Sequence, residues 1–317
     1  MTEILIVGLG GTIAMTALPD GGVAPALSAD QLVAAVPALA SVPLEARSLR
    51  AVAGSGLTVD DLLAVRETLV SSFADGVRGA VITQGTDSIE ETAYVLDLLH
   101  DSEHPIVVTG AMRNPTLPGA DGPANLLAAV RVAHADSSRG LGCLVVMADE
   151  IHAAARVRKS HTMSTAAFTS PDGGPLGHVA EGRVRFTHFP VRRQRVPVPR
   201  GALARVGLYT ATLGDDGSLL PAYASSVDGL VVAGFGVGHV PEPWVGHLSV
   251  IAERIPVVLA SRTGAGWVGV STYGFPGSER DLVARGLIPA GDLHPYKARV
   301  LLQLLLSSGQ DVRAGFA

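Results

Sequence analysis

Short, uninterrupted runs of apolar, largely β-branched residues recur along the chain, each followed by a polar turn or a helix-length stretch. They lie at residues 3–8, 79–83, 106–109, 142–148, 205–210, 229–233 and 257–261. Successive side chains of a strand point to opposite faces, so a run that is apolar throughout predicts a strand covered on both sides, as in a parallel sheet. Segments 29–36, 59–73, 89–100, 122–133 and 295–307 read as helices between them. Alternation of this kind predicts an α/β fold with right-handed crossovers. The pattern breaks at 185–200, where Arg192, Arg193, Arg195 and Arg200 are interleaved with Pro190, Pro197 and Pro199. Proline limits both helix and central strand, so an extended, solvated connection is expected there. The expected organisation is a large N-terminal parallel-sheet α/β domain over 1–190, a linker over 191–203, and a smaller C-terminal α/β domain over 204–317.

Composition excludes several classes of function. A net charge of −5 with no basic block gives no nucleic-acid footprint; the basic stretches at 156–159 and 192–200 are too short to act as binding arms. Apolar runs fall far below the ~18–20 residues of a membrane span. The opening Met1-Thr2-Glu3-Ile4 has no basic segment leading into an apolar one, so no secretory signal is expected and the cytoplasm is the expected compartment. A single cysteine, Cys143, rules out an intrachain disulfide and cysteine-rich metal sites, and its apolar run predicts a buried thiol. The ten histidines show no metal-binding spacing, and neither a metal nor a cofactor is expected.

In open parallel sheets ligands bind beyond the carboxyl ends of the strands, so polar residues just after apolar runs are the first candidates for chemistry. Gly10-Gly11-Thr12-Ile13-Ala14 follows the first run. Its glycines permit a sharp turn with exposed N–H groups, and Thr12 adds a hydroxyl. A dinucleotide-binding fingerprint needs a third glycine where Ile13 stands, and Asp30 is weak support for it. Thr83-Gln84-Gly85-Thr86-Asp87-Ser88-Ile89-Glu90-Glu91 follows the second run. Asp87 or Ser88 is expected to cap the helix there, with Glu90 and Glu91 suiting its dipole, and Asp87 is free to face a ligand as well. Lys159 is expected in a loop after the fourth run, where a lysine is ordinarily just solvated.

Taken together, these places resemble the bacterial-type L-asparaginases, the asparaginase/glutaminase family. Gly10–Ala14 is similar to that family's first signature and 83–94 to its second. Gly110-Ala111-Met112-Arg113 with 120–126, and the closing 297–306, are similar to further family segments, so the resemblance spans about residues 4–306. It implies hydrolysis of L-asparagine to L-aspartate and ammonia through an acyl-threonine. Thr12 would be the nucleophile, with Thr86, Asp87 and Lys159 completing the catalytic group. Ser55 and Asp87 would hold the substrate's α-carboxylate and α-amino group, the Ala111 backbone would face the departing amide, and N–H groups of the Gly11–Thr12 turn would meet the oxyanion. A lysine acts as a base only when neutral, which a nearby carboxylate opposes, so Lys159 is read as an electrostatic anchor acting through Thr86 as much as a base. A homotetramer of intimate dimers is also implied, each site being shared with a neighbour's small domain.

The chain departs from the family pattern in several places. The loop after the first signature normally carries a tyrosine, and 15–27 has none; Gly56 stands where a glutamine commonly follows the serine. His239 takes the place of an asparagine that reaches a neighbouring site, and Glu279 corresponds to a glutamate the neighbour supplies. These departures leave two other readings open: a glutaminase or other small-amide amidohydrolase, and a non-catalytic amino-acid-binding homologue. The apolar segment 244–251 is expected to serve subunit contact.

Overall fold

The computed structural model describes residues 3–190 and 194–317; Arg192 and Arg193 of the expected linker, and the opening Met1 and Thr2, lie outside the described residues. The chain forms two compact units, Met1–Arg195 and Val196–Ala317.

The first unit is built on an eight-stranded sheet. Strand Ile4–Gly10 lies between Leu44–Val52, at the sheet edge, and Gly79–Thr83; Ile106–Thr109 and Cys143–Met147 follow, all parallel. Beyond Cys143–Met147 the sheet turns antiparallel through Glu150–Ala153, Gly177–Ala180 and Arg183–Phe186. The apolar runs divide their side chains between two cores as their period of two requires. Ile4, Ile6, Val81, Val107 and Leu144 pack with residues of helices Ala29–Ala34 and Gly122–His134. Leu5, Val7, Ile82, Val108 and Val145 face helices Val59–Ala74 and Ile89–Leu99. Helices thus cover both faces, and Cys143 is buried within the second core.

Several elements differ from the sequence expectation. Leu44–Val52 carries Glu45, Arg47 and Arg50 and is half-exposed, the look of an edge strand covered on one face rather than of a buried run. The antiparallel strands are equally short and mixed. Arg185 and Phe186, at the start of the stretch 185–200 expected to be an extended, solvated connection, instead close the outermost strand and pair with His178 and Gly177 respectively. In the linker itself, Val196 is buried rather than solvated.

The second unit has four parallel strands in the order Val206–Thr210, Gly229–Gly234, Val257–Ser261 and Ile288–Pro289. One face packs on helix Trp244–Ala252 and Leu282, the other on Ala298 and Leu302 of helix Pro295–Ser307. The segment expected to serve subunit contact is this first helix: Trp244, Val245, Leu248 and Ile251 are buried in the unit's own core. No helix among the described residues is long and apolar enough to cross a membrane.

Candidate active site

The turn bearing Thr12 begins where strand Ile4–Gly10 leaves its edge partner. Register along Leu44–Val52 shifts between Gly8 and Gly10, and the Gly11 N–H donates to Val52 O at 2.9 Å. Gly10 and Gly11 have φ of 100° and 78°, left-handed values that residues with a Cβ rarely adopt. Thr12–Ala14 then forms one 3₁₀ turn, followed by a hairpin of Met15–Ala17 against Val23–Pro25. A dinucleotide-binding helix has no place there. The Gly11 N–H, expected to meet an oxyanion, is spent on Val52, which leaves the Thr12 N–H as this turn's candidate donor.

Three glycines draw the expected site residues together. A Cβ on Gly11 would lie 1.9 Å from Gly85 N, one on Gly85 would lie 2.4 Å from Gly54 N, and one on Gly54 would lie 2.7 Å from Gly85 O. The backbones before Thr12, Ser55 and Thr86 are therefore in direct contact, at a separation no side chain fits. Gly110 adds the fourth turn: its Cβ would lie 2.6 Å from Gln84 O and 3.3 Å from Thr86 Cγ2, which brings Ala111 beside Thr86. Ser55 sits on the 3₁₀ turn Gly54–Gly56, directly after the edge strand missing from the sequence reading.

Polar side chains fasten these turns. The Ser88 hydroxyl donates to Gly54 O at 2.7 Å, and Gln84 Nε2 donates to Ser88 Oγ at 3.2 Å and Gly85 O at 3.1 Å. Asp121 accepts from the Met112 and Arg113 N–H groups, while Asn125 donates to Gly110 O and to Asp121 and accepts from the Ala148 N–H. Asp121 and Asn125 belong to the 120–126 segment, so the motif was visible in the sequence though its role of holding the Ala111 turn was not. Gln84 and Ser88 lie within the second signature but carried no separate signal.

Lys159 completes the group. Its Nζ donates to Thr86 Oγ1 at 2.9 Å and pairs with Asp87 Oδ1 at 2.7 Å. The lysine is in a two-residue strand, Arg158–Lys159, paired antiparallel with Phe168–Thr169, rather than in a free loop. Buried Val157, Ala167 and Phe168 tie that ribbon to the core. The lysine side chain is 15% exposed and that of Asp87 66%. With Asp87 engaged by Lys159 and the Ser88 hydroxyl by Gly54, neither caps helix Ile89–Leu99 as expected. Glu90 and Glu91 do occupy its first turn.

In the second unit, His239 Nε2 lies 3.1 Å from Glu279 Oε2. Glu279 Oε1 accepts from the backbone N–H groups of Thr272 and Tyr273, both at 2.8 Å. Burial pushes this carboxyl up, but the Tyr273, Glu279 and Thr272 backbone groups and His239 outweigh it and hold its pKa below the usual carboxylate value. Tyr273 and Phe275 stand edge-on to the imidazole.

A parallel sheet whose strand-end turns gather threonines, a carboxylate and a lysine, with polar backbone groups beside them, is equipped for acyl transfer. The chain belongs to the asparaginase/glutaminase family: residues 3–192 match the family described as Asparaginase, N-terminal, and 205–314 match the Glutaminase/Asparaginase C-terminal domain. Among curated relatives, the glutaminase-asparaginase of Pseudomonas aeruginosa is 34% identical over 324 residues, covering 98% of this chain and 88% of that one. The probable periplasmic L-asparaginase of Haemophilus influenzae is 34% identical, covering 98% and 90%. A crystal structure of a probable cytoplasmic L-asparaginase from Campylobacter jejuni superposes with a TM-score of 0.89 at 32% identity, covering 100% of this chain and 99% of that one.

Proposed function

We propose that the chain hydrolyses the side-chain amide of L-asparagine, with Thr12 as nucleophile. The observation carrying this reading is the Lys159 ammonium bridging Thr86 Oγ1 and Asp87 Oδ1, beside the glycine junction that abuts the Thr12 turn. In this reading Ser55 and Asp87 hold the α-carboxylate and α-amino group of the substrate. Thr12 Oγ attacks the amide carbon while its proton is relayed through the Thr86 hydroxyl, which Lys159 orients, to the departing amide nitrogen, and the oxyanion rests on the Thr12 N–H. The amide nitrogen, facing the Ala111 backbone, takes a proton and leaves as ammonia. Water then attacks the acyl-threonine ester and releases aspartate.

The large domain, 1–190, carries these groups, and the small domain, 204–317, presents His239 and Glu279 to a neighbouring copy in a homotetramer. The cytoplasm is the proposed compartment, in line with the name of the Campylobacter relative; the name of the Haemophilus relative points the other way. A second reading, glutaminase activity, is favoured by the name of the Pseudomonas relative. Ammonia release from asparagine and from glutamine, measured beside calorimetric binding of aspartate, separates the possibilities. Release from asparagine supports the proposal, faster release from glutamine the second reading, and aspartate binding without release from either would reduce the chain to a binding protein.

A further inference from the structure

Next to the Thr12 turn, and sharing only Ala111 with the group just described, the first unit holds an open-mouthed cavity of about 140 Å³. Its lining includes Ile13, Leu27, Leu32, Ala111 and Leu126, with Arg113 among the exposed residues at its border. Ala111 borders both spaces, but none of Thr12, Ser55, Thr86, Asp87 or Lys159 lines this one, so its lining offers no partner for an α-amino group. Ile13, Ala111 and Leu126 are buried, whereas Ala35, Arg113, Pro115 and Pro123 are exposed, which gives an apolar floor and an open mouth.

Size and charge define the occupant. A dry apolar cavity of roughly 150 Å³ accepts a molecule the size of benzene. Arg113 is the one charged residue of the lining. Among the described residues its guanidinium makes a single long hydrogen bond, 3.4 Å to Gly119 O, and pairs with no carboxylate. The nearby Asp121 is occupied by the Met112 and Arg113 N–H groups and by Asn125. A planar, uncommitted guanidinium at the mouth of an apolar cavity suits a carboxylate. We propose that this cavity is an accessory binding site for a small monocarboxylate with a compact apolar body, such as an aromatic acid. Because Ile13 is in the same 3₁₀ turn as Thr12 and packs where a Cβ on Gly122 would meet its Cγ1 at 2.9 Å, an occupant bears directly on the turn carrying Thr12.

Calorimetry with benzoate, and with benzyl alcohol as its neutral counterpart, tests the site on the full-length protein. One benzoate per chain is expected, with the alcohol weaker by about tenfold or more for want of the charged hydrogen bond. Benzoate binding is expected to persist under saturating aspartate, which separates this site from the substrate site whatever reaction the protein performs. Arg113→Gln is expected to lower benzoate affinity to that of the alcohol, and Ala35→Leu, which fills the exposed mouth, to remove both, each with an unchanged melting temperature. Displacement by aspartate, indifference to both substitutions, or no binding at all, as when a second copy of the chain fills the cavity, would each overturn the proposal.

Discussion

At the scale of single residues, the distinction that matters is between groups that react and groups that place them. If Thr12 is acylated while Thr86, held by Lys159, manages its proton, the two hydroxyls act as one unit. Thr12→Val and Thr86→Val should then each abolish most turnover, and the double variant should be little worse than either. A slow substrate followed by peptide mapping should find the adduct on Thr12; an adduct on Thr86 would reverse the assignment. Lys159→Met should lower kcat by about 10²–10⁴-fold while aspartate still binds, since its contact matters most in the transition state. An unchanged kcat would return the lysine to a structural role. Glu279 yields a prediction about stability. Its folded pKa lies below the ordinary value of 4.5, so its ionised form contributes stability that is present above that value and lost as pH falls through the folded one. The melting temperature of wild type should exceed that of Glu279→Gln by a constant margin near neutral pH, and the margin should close in acid. A gap still open well below the folded pKa would disprove the linkage.

At the scale of elements, the site is a meeting of four strand ends, and its precision depends on fastenings between turns. The hydrogen bond from Ser88 to Gly54 O joins the Ser55 turn to the Thr86 turn. Ser88→Ala removes this bond and the one Ser88 Oγ accepts from Gln84 Nε2, each worth about 1 kcal/mol, and should raise KM for asparagine roughly five- to thirtyfold with a smaller change in kcat. Steady-state kinetics decides this; an equal fall in kcat at fixed KM would mean that Ser88 serves the chemistry rather than substrate placement. The same elements mark what was legible in the sequence. The buried parallel strands announced themselves because coverage on both faces demands unbroken apolar runs, and the turns after them held Thr12, Thr86 and Asp87. Leu44–Val52 was illegible because an edge strand mixes charged and apolar residues, and the turn it delivers, with Ser55, was recognised only by resemblance. Lys159 illustrates a further limit: two residues paired across a ribbon leave no periodic trace, so its path to Thr86 depends on tertiary packing alone. The glycine junction is a matter of distance between segments remote in sequence, which no local pattern records.

At the scale of the whole molecule, the open question is what covers the small unit. The segment expected from its apolarity to bind another subunit proved to be a core helix, with Trp244 fully buried. Exposed apolar side chains gather instead between the third and fourth strands of that unit, at Trp267, Val270, Tyr273 and Phe275, with Trp267 68% exposed. Several large side chains left in water so close together along the chain are characteristic of an interaction surface rather than of scattered surface residues. Two of them, Tyr273 and Phe275, frame His239 above Glu279, so a copy docked there would cover the pair that resemblance assigns to a neighbour's site. A stable interface of that kind needs about 800 Å² from each partner, and its aromatic residues carry a disproportionate share of the binding energy. Light scattering should therefore find a tetramer, and Trp267→Glu combined with Phe275→Ser should yield smaller species. Activity should fall with assembly, on dilution of wild type as well as in the double variant, because mass action couples the two. A monomer that retains full turnover would separate catalysis from association and confine the working site to the first unit alone.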